Sequence, residues 1–119
     1  MAAARRAELV ARNSVPFRAA NEKLKAVAEE LGVRRVLFIC ECPDKTCTRV
    51  VRLELSEYEA IRSHPTRFLT VKGHEVSAGP HARVVEEHDT YTVVAMVGEA
   101  AKIVTELDPR SPSPRNASP

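Results

Sequence analysis

Apolar residues recur at spacings of three and four in the first third of the chain, the repeat that predicts one face of an α-helix. The positions are Phe17, Ala20, Leu24, Val27, Ala28 and Leu31. We expect the helix to begin near Ser14 and Pro16, which suit a cap and a first turn, and to end at Gly32. Its apolar face should pack on a sheet, whereas its charged residues, such as Arg18 and Lys25, should lie off that face.

The rest of the chain alternates between strand-like and helix-like patterns. The apolar run at residues 35–39 predicts a buried strand. Residues 48–55 alternate between apolar and polar, which predicts a half-exposed strand. Ser56 and Glu59 have the spacing of a capping box, which predicts a short helix over residues 57–63. Three further strands at 67–71, 82–87 and 91–97 and a helix at 98–107 complete the pattern.

This order of elements predicts an α+β domain with a mainly antiparallel sheet, helices on one side, and a cysteine-bearing hairpin knuckle. We predict a flexible N-terminal segment at residues 1–13 and a single domain at residues 14–107. Residues 108–119 are rich in Pro and Ser, so they are expected to be a disordered tail.

Composition restricts where such a domain would work. The chain has 119 residues, 44% of them apolar, enough for one core. No apolar run approaches the roughly 20 residues that span a bilayer, and the start lacks the apolar region of a signal peptide. We therefore expect no membrane association and a cytoplasmic location, where thiols stay reduced and clustered cysteines favour metal binding or catalysis over disulfides.

Charge is divided unevenly along the chain. Residues 1–35 carry eight Lys/Arg and four Asp/Glu, a net charge of +4, whereas residues 36–108 carry eight and twelve, a net charge of −4. Phosphate contacts need clustered Lys and Arg, so the acidic body argues against a nucleic-acid partner. The basic N-terminal segment keeps a nucleic-acid interface as an alternative, although a solvated helix face is the simpler explanation of its charge.

All three cysteines lie in the short segment from Cys40 through Cys42 to Cys47. In extended backbone, residues two apart project to the same side, so Cys40 and Cys42 can reach one ion. Pro43-Asp44 favours a turn that brings Cys47 back. The spacing predicts a metal site, most simply Zn²⁺, which takes four tetrahedral ligands.

The fourth ligand is expected to be a histidine. His74 follows a predicted strand, and Gly73 gives the backbone freedom to turn the imidazole inward, whereas His64 is expected to be exposed and His81 and His88 to lie in turns. Three thiolates and one imidazole would leave the zinc site with a charge near −1, which nearby basic residues could offset. The candidates are Lys45, Arg49 and Arg52.

Two other interpretations of the cysteines stay open. They could be reduced thiols buried as small apolar side chains. Cys42 and Cys47 could instead form a redox pair, although thiol–disulfide enzymes place a C-x-x-C motif at a helix start.

In combination, these motifs resemble a group of small actinobacterial proteins of uncharacterised activity. The shared order is F-x-C-E-C with a further Cys, E-Y-E-x-x-R, P-x-x-F and G-H-E, carried here by Phe38 to Cys42, Cys47, Glu57 to Arg62, Pro65 to Phe68, and Gly73 to Glu75. The resemblance covers about residues 17–100. It implies no activity, but it places His74 in the same pattern as the cysteines.

No familiar catalytic motif accompanies the cysteines. H-E-x-x-H, P-C-x-x-C, phosphate-binding glycine loops and G-x-S-x-G are all missing from the sequence. The sequence therefore favours a metal-binding interaction or regulatory module with an unidentified protein partner over an enzyme. The enzymatic alternative is an open zinc site with a bound water and Glu41 or Glu75 as base.

Overall fold

The computed structural model describes residues 2–110. Along this part of the chain, helices and strands alternate much as the sequence pattern predicts. In order they are α1 (Ala2–Leu31), β1 (Arg35–Ile39), β2 (Val50–Glu54), α2 (Leu55–Arg62), β3 (Arg67–Val71), a 3₁₀ segment (His74–His81), β4 (Ala82–Glu87), β5 (Tyr91–Met96) and α3 (Gly98–Glu106).

The strands form two antiparallel sheets. β1 and β2 make a hairpin in which Phe38 pairs with Val51, and the cysteine segment forms its tip. β3, β5 and β4 make the second sheet in that order, with a register shift between Val84 and Glu86. The predicted α+β class with antiparallel strands and a cysteine-bearing hairpin is therefore confirmed, although the strands are divided between two sheets.

β3 and β5 are buried on both faces of the three-stranded sheet, whereas most of β4 is exposed. Neighbouring residues of a strand point to opposite faces, so each face contributes to a different cluster. Leu69 and Val93 belong to a cluster with the hairpin, α2, Cys40 and Cys42. Phe68 and Val94 belong to a second cluster with α1 and α3. The cysteines thus lie in the first hydrophobic cluster rather than on an isolated loop.

Helix α1 starts far earlier than the sequence pattern indicates. It begins at Ala2, in the segment expected to be flexible, and Pro16 lies inside it rather than in its first turn. A proline inside a helix costs about 3 kcal/mol. Burial of Ala7, Val10 and Ala11 in the second cluster offsets that cost and holds the first turns in place.

The predicted apolar face of α1 is wrong, although the helical period is right. Of its six residues only Ala28 is buried; Leu31 is 71% exposed. The buried face carries polar side chains instead, namely Ser14, Arg18 and Asn21.

Buried polar groups are tolerated in α1 because most of them meet polar partners. Arg18 donates hydrogen bonds to the carbonyl oxygens of Pro65 and Val104 at 2.8 and 2.9 Å, and it lies over the Phe68 ring. Asn21 binds both main-chain groups of Ile39 at 2.8 Å. The Asn21 amide thus pairs with the free edge of β1 as a neighbouring strand would.

Helix α2 also begins earlier than predicted, and its capping box is formed by Glu54 and Glu57 rather than by Ser56 and Glu59. Tyr58 and Arg62, four residues apart on α2, are both buried. Arg62 lies against Asp108 at 2.6 Å. The chain beyond α3 is therefore anchored at Asp108, and residues 111–119 of the predicted tail lie outside the described part.

Across residues 2–110, none of the helices combines the length and the apolar character needed to cross a membrane.

Candidate metal centre

The hairpin tip is held by its own hydrogen bonds. The Cys40 N–H donates to the carbonyl of Arg49 at 2.9 Å, which extends the β1–β2 ladder by one step. Asp44 accepts hydrogen bonds from the N–H and hydroxyl of Thr46 at 3.0 and 2.7 Å, and the Cys47 N–H donates to the Asp44 carbonyl. The predicted turn at Pro43-Asp44 thus returns Cys47 toward the other two cysteines.

The segment Cys40–Cys42 is docked on the free edge of β3. Glu41 N–H donates to the Leu69 carbonyl at 2.7 Å, and Leu69 N–H donates to the Glu41 carboxylate at 2.8 Å. The Val71 N–H donates to Sγ of Cys40 at 3.2 Å. These bonds join the hairpin to the second sheet and fix the position of Cys40.

Glu41 is the central polar anchor of this junction. Its side chain is fully buried, and besides Leu69 it accepts hydrogen bonds from Asn21 at 2.8 Å and Tyr58 at 2.5 Å. Burial raises the pKa of Glu41, and these hydrogen bonds oppose that rise. The carboxylate therefore ties α1, α2 and β3 to the residue between two cysteines.

His74 opens the 3₁₀ segment that follows β3. Gly73 before it has a φ of +97°, a conformation that favours glycine. The Glu75 carboxylate accepts hydrogen bonds from Gly73 N–H at 2.8 Å and from Thr92 Oγ1 at 3.1 Å. This turn directs the His74 imidazole back toward the hairpin tip.

The four predicted ligands come together around one point. Nδ1 of His74 lies 3.7, 3.9 and 3.5 Å from Sγ of Cys40, Cys42 and Cys47, respectively. All four ligand atoms lie within 4.8 Å of one another. Tetrahedral zinc with Zn–S of about 2.3 Å and Zn–N of about 2.0–2.1 Å requires ligand atoms roughly 3.6–3.8 Å apart. The group is thus close enough to bind one metal ion.

The ligand atoms differ in burial and in proton affinity. Cys40 and Cys42 are buried, whereas Cys47 and His74 are half-buried. A hydrogen bond from Cys40 lowers the pKa of Cys42 to about 5, against the effect of burial. The same bond, together with burial, raises the pKa of Cys40, and burial raises that of Cys47. Among the three thiols, Cys42 is thus the one whose pKa is lowered.

The other histidines do not belong to the ligand group. His64 and His88 are exposed, and His88 pairs with Glu86 at 2.9 Å. Within residues 2–110, His81 belongs to no group of potential ligands either. Lys45 and Arg49 are exposed beside the cysteines in sequence, and their role in balancing the charge of a bound ion stays a prediction.

Sequence reasoning missed the residues that hold the ligands. The helical period does not place Asn21 on the predicted buried face, and the cysteine spacing does not indicate that Glu41 is buried. The available signal was a carboxylate between two cysteines directly after a buried strand, since a charge in such a place needs hydrogen-bond donors from neighbouring elements.

Comparisons with protein families, with curated proteins and with solved structures gave no significant match to this chain. Its function therefore has to be argued from the geometry of the site.

Proposed function

We propose that this chain is a small zinc protein in which Cys40, Cys42, Cys47 and His74 form a closed structural site. The observation that carries the proposal is the approach of three sulfur atoms to within 3.5–3.9 Å of one imidazole nitrogen. Thiolate and imidazole donors in a tetrahedral arrangement favour zinc over calcium or magnesium, which prefer oxygen ligands.

A bound ion would join the two sheets. Three ligands belong to the hairpin of the first sheet, and the fourth follows β3 of the second. Because the cysteines also belong to the first hydrophobic cluster, the metal would stabilise the core at the junction. This placement supports a structural role for the ion.

The engagement of Glu41 and Glu75, the two carboxylates offered as bases, supports an interaction or regulatory module rather than an enzyme. Glu41 accepts three hydrogen bonds in a buried position, and Glu75 accepts two. A water-activating zinc keeps an open position and needs a free base, whereas four protein ligands fill the tetrahedron. The module would act by presenting its surface to a protein partner.

Several basic residues of the N-terminal helix are engaged within the chain, which weighs against the nucleic-acid alternative. Arg18 is buried, and Lys25 binds Glu29 and Glu59 at 2.8 and 3.1 Å. Burial raises the cost of using Arg18 for phosphate contacts, and pairing reduces the charge that Lys25 offers.

We also propose that the chain belongs to the actinobacterial group that its motifs resemble. The pattern residues Phe38, Glu41, Tyr58 and Phe68 are all buried, and Phe38 stacks on Tyr58 at 4.3 Å between ring centroids. The pattern would then preserve the ligands together with the packing that positions them.

The test is metal content per chain, measured by elemental analysis of protein purified under reducing conditions without added metal. We expect about one zinc per chain in the wild type, as the four-ligand site requires, and a large loss in His74→Ala. His64→Ala is the matched control, because His64 is exposed, and it should retain the metal. Wild-type protein without metal would refute the proposal.

Cobalt substitution separates a closed site from an open one. A tetrahedral site with four protein ligands should give an absorption spectrum that added azide leaves unchanged. A spectral shift on azide addition would show a free coordination position and would favour the enzymatic alternative.

A further inference from the structure

An apolar stripe runs along the outer face of α1 and has no partner within residues 2–110. Four of its members are 36–71% exposed, with Leu31 the most exposed. The residues that α1 buries lie on a different face of the helix. The apolar stripe consists of Leu9, Pro16, Ala20, Leu24, Val27 and Leu31.

The apolar stripe is straight. Leu9, Ala20 and Leu31 are eleven residues apart, and Pro16 and Val27 are also eleven apart. Eleven residues make close to three helical turns, so these side chains lie nearly in line along the axis. From Leu9 to Leu31 the line extends about 33 Å at about 1.5 Å per residue.

Apart from Val27, the apolar stripe is also symmetric about its centre. Pro16 and Leu24 lie four residues to either side of Ala20, and Leu9 and Leu31 lie eleven residues to either side. A sequence with this symmetry matches itself when a second helix runs in the opposite direction across Ala20. A small residue at the centre allows two helices to approach closely.

We propose that the apolar stripe is the interface of a homodimer, in which α1 packs antiparallel on α1 of a second copy about a two-fold axis near Ala20. In such an interface each contact occurs twice. Leu31 would lie against the partner's Leu9, and Leu24 against the partner's Pro16. Phe17, half-buried beside the stripe, would lie against the partner's Leu24.

One pair of charges beside the apolar stripe is complementary in this arrangement. Arg12 and Glu30 lie on the same flank of the stripe, and two-fold symmetry brings equal flanks of the two helices together. Because 12 and 30 are almost equally far from residue 20, Arg12 would face the partner's Glu30. The Arg12 side chain is 56% exposed and bonds only loosely to Glu8, at 3.4 Å.

The proposal does not rest on the metal site, because the apolar stripe shares no residue with the cysteine–histidine group. Failure of zinc binding and failure of dimerisation would therefore be separate results.

Sedimentation equilibrium of the zinc-loaded full chain over a range of concentrations tests the interface. The wild type should approach about twice the 13.1 kDa of one chain. Leu24→Glu should weaken dimerisation at least about tenfold, because it buries two unpaired carboxylates. Leu31→Glu, at the most exposed position, should also weaken it. Ala26→Glu, exposed and off the stripe, should dimerise as the wild type does.

A wild type that stays monomeric, or equal weakening by Leu24→Glu and Ala26→Glu, would overturn the interface. Charge exchange tests the register: Arg12→Glu and Glu30→Arg should each weaken the dimer, and the double variant should restore it. A double variant weaker than both single variants would overturn the antiparallel arrangement.

Discussion

The main-chain N–H of Val71 donates a 3.2 Å hydrogen bond to Sγ of Cys40. The bond belongs to β3, the strand that also binds Glu41 through Leu69 and that leads into His74. One strand thus positions two parts of the site that are far apart in sequence. A hydrogen bond to sulfur also favours the thiolate over the thiol. The thiolate is the form that binds metal.

Removal of the metal should destabilise the whole fold rather than only the hairpin tip, because two of the ligands are core residues. With free zinc at 100 times its dissociation constant, binding adds about 2.7 kcal/mol to the free energy of unfolding. Denaturant unfolding under reducing conditions, with zinc and with a chelator, measures this difference. Cys47→Ser should lose most of this zinc-dependent stabilisation. Wild-type unfolding curves that superimpose with and without zinc would contradict a structural role for the metal.

Glu41→Gln should lower both stability and zinc affinity. The amide NH₂ of glutamine would face donors that now bind a carboxylate, so at least one buried donor loses its acceptor, at a cost of about 1–3 kcal/mol. Loss of this hydrogen bond should also displace the cysteine segment, which should weaken zinc binding about tenfold. Unfolding curves and competition with a chromogenic chelator give the two values.

Glu87→Gln is the matched control for this prediction because Glu87 is exposed, and it should change neither quantity. A Glu41→Gln protein with wild-type stability would show that the three hydrogen bonds to the carboxylate contribute little.

The bounds of β1 and β3 and the choice of His74 could be predicted because local signals agreed with the fold. Apolar β-branched runs marked the strands, and Gly73 marked the turn that directs the imidazole. The cysteine spacing predicted the metal site for the same reason, because one hairpin brings all three cysteines together.

The buried face of α1 could not be predicted from its period alone. The most apolar face was expected to be inside, yet Arg18 and Asn21 are buried because acceptors and donors from β1, α3 and the α2–β3 turn meet them. Those partners are distant in sequence, so no local pattern reveals them. The apolar residues that the period placed inside instead form much of the exposed apolar stripe.

Gly73→Ala should weaken zinc binding through backbone strain. Gly73 has a φ of +97°, and no atom lies within 4 Å of a Cβ added there, so the cost comes from the conformation itself. A side chain in the left-handed region costs about 1–2 kcal/mol, and relaxation of the turn would move His74 away from the sulfur atoms. Isothermal titration with zinc measures the loss of affinity.

Val76→Ala is the control for Gly73→Ala, because Val76 lies in the same 3₁₀ segment and is 75% exposed. It should bind zinc as the wild type does. Equal affinities of the Gly73→Ala and wild-type proteins would mean that His74 does not depend on this turn.

Asp108→Asn should be strongly destabilising at neutral pH. Arg62 is buried and its Nη2 lies 2.6 Å from the Asp108 carboxylate, which is buried as well. Loss of the negative charge leaves a buried guanidinium without its closest partner, at a cost of about 3 kcal/mol. Chemical denaturation measures it, with Glu106→Gln, at an exposed residue, as the control. A change no larger than that of the control would contradict the prediction.

The same pair predicts how stability depends on acid. Burial raises the pKa of Asp108, but hydrogen bonds from Arg62 and from the Arg110 N–H outweigh it, and the net pKa is lowered. A carboxyl whose pKa is lower in the folded state stabilises the fold above its unfolded pKa of about 3.9 and loses that contribution as pH falls through the folded value.

The free energy of unfolding should therefore fall below about pH 4 more steeply in the wild type than in Asp108→Asn. Cys47→Ser variants of both proteins are the pair to compare, because loss of the metal in acid would otherwise add its own pH dependence. The difference between the two unfolding free energies should shrink as pH drops from 5 to about 2, since a protonated Asp108 resembles asparagine in charge. A difference that stays constant over this range would show that the Asp108 charge does not stabilise the fold.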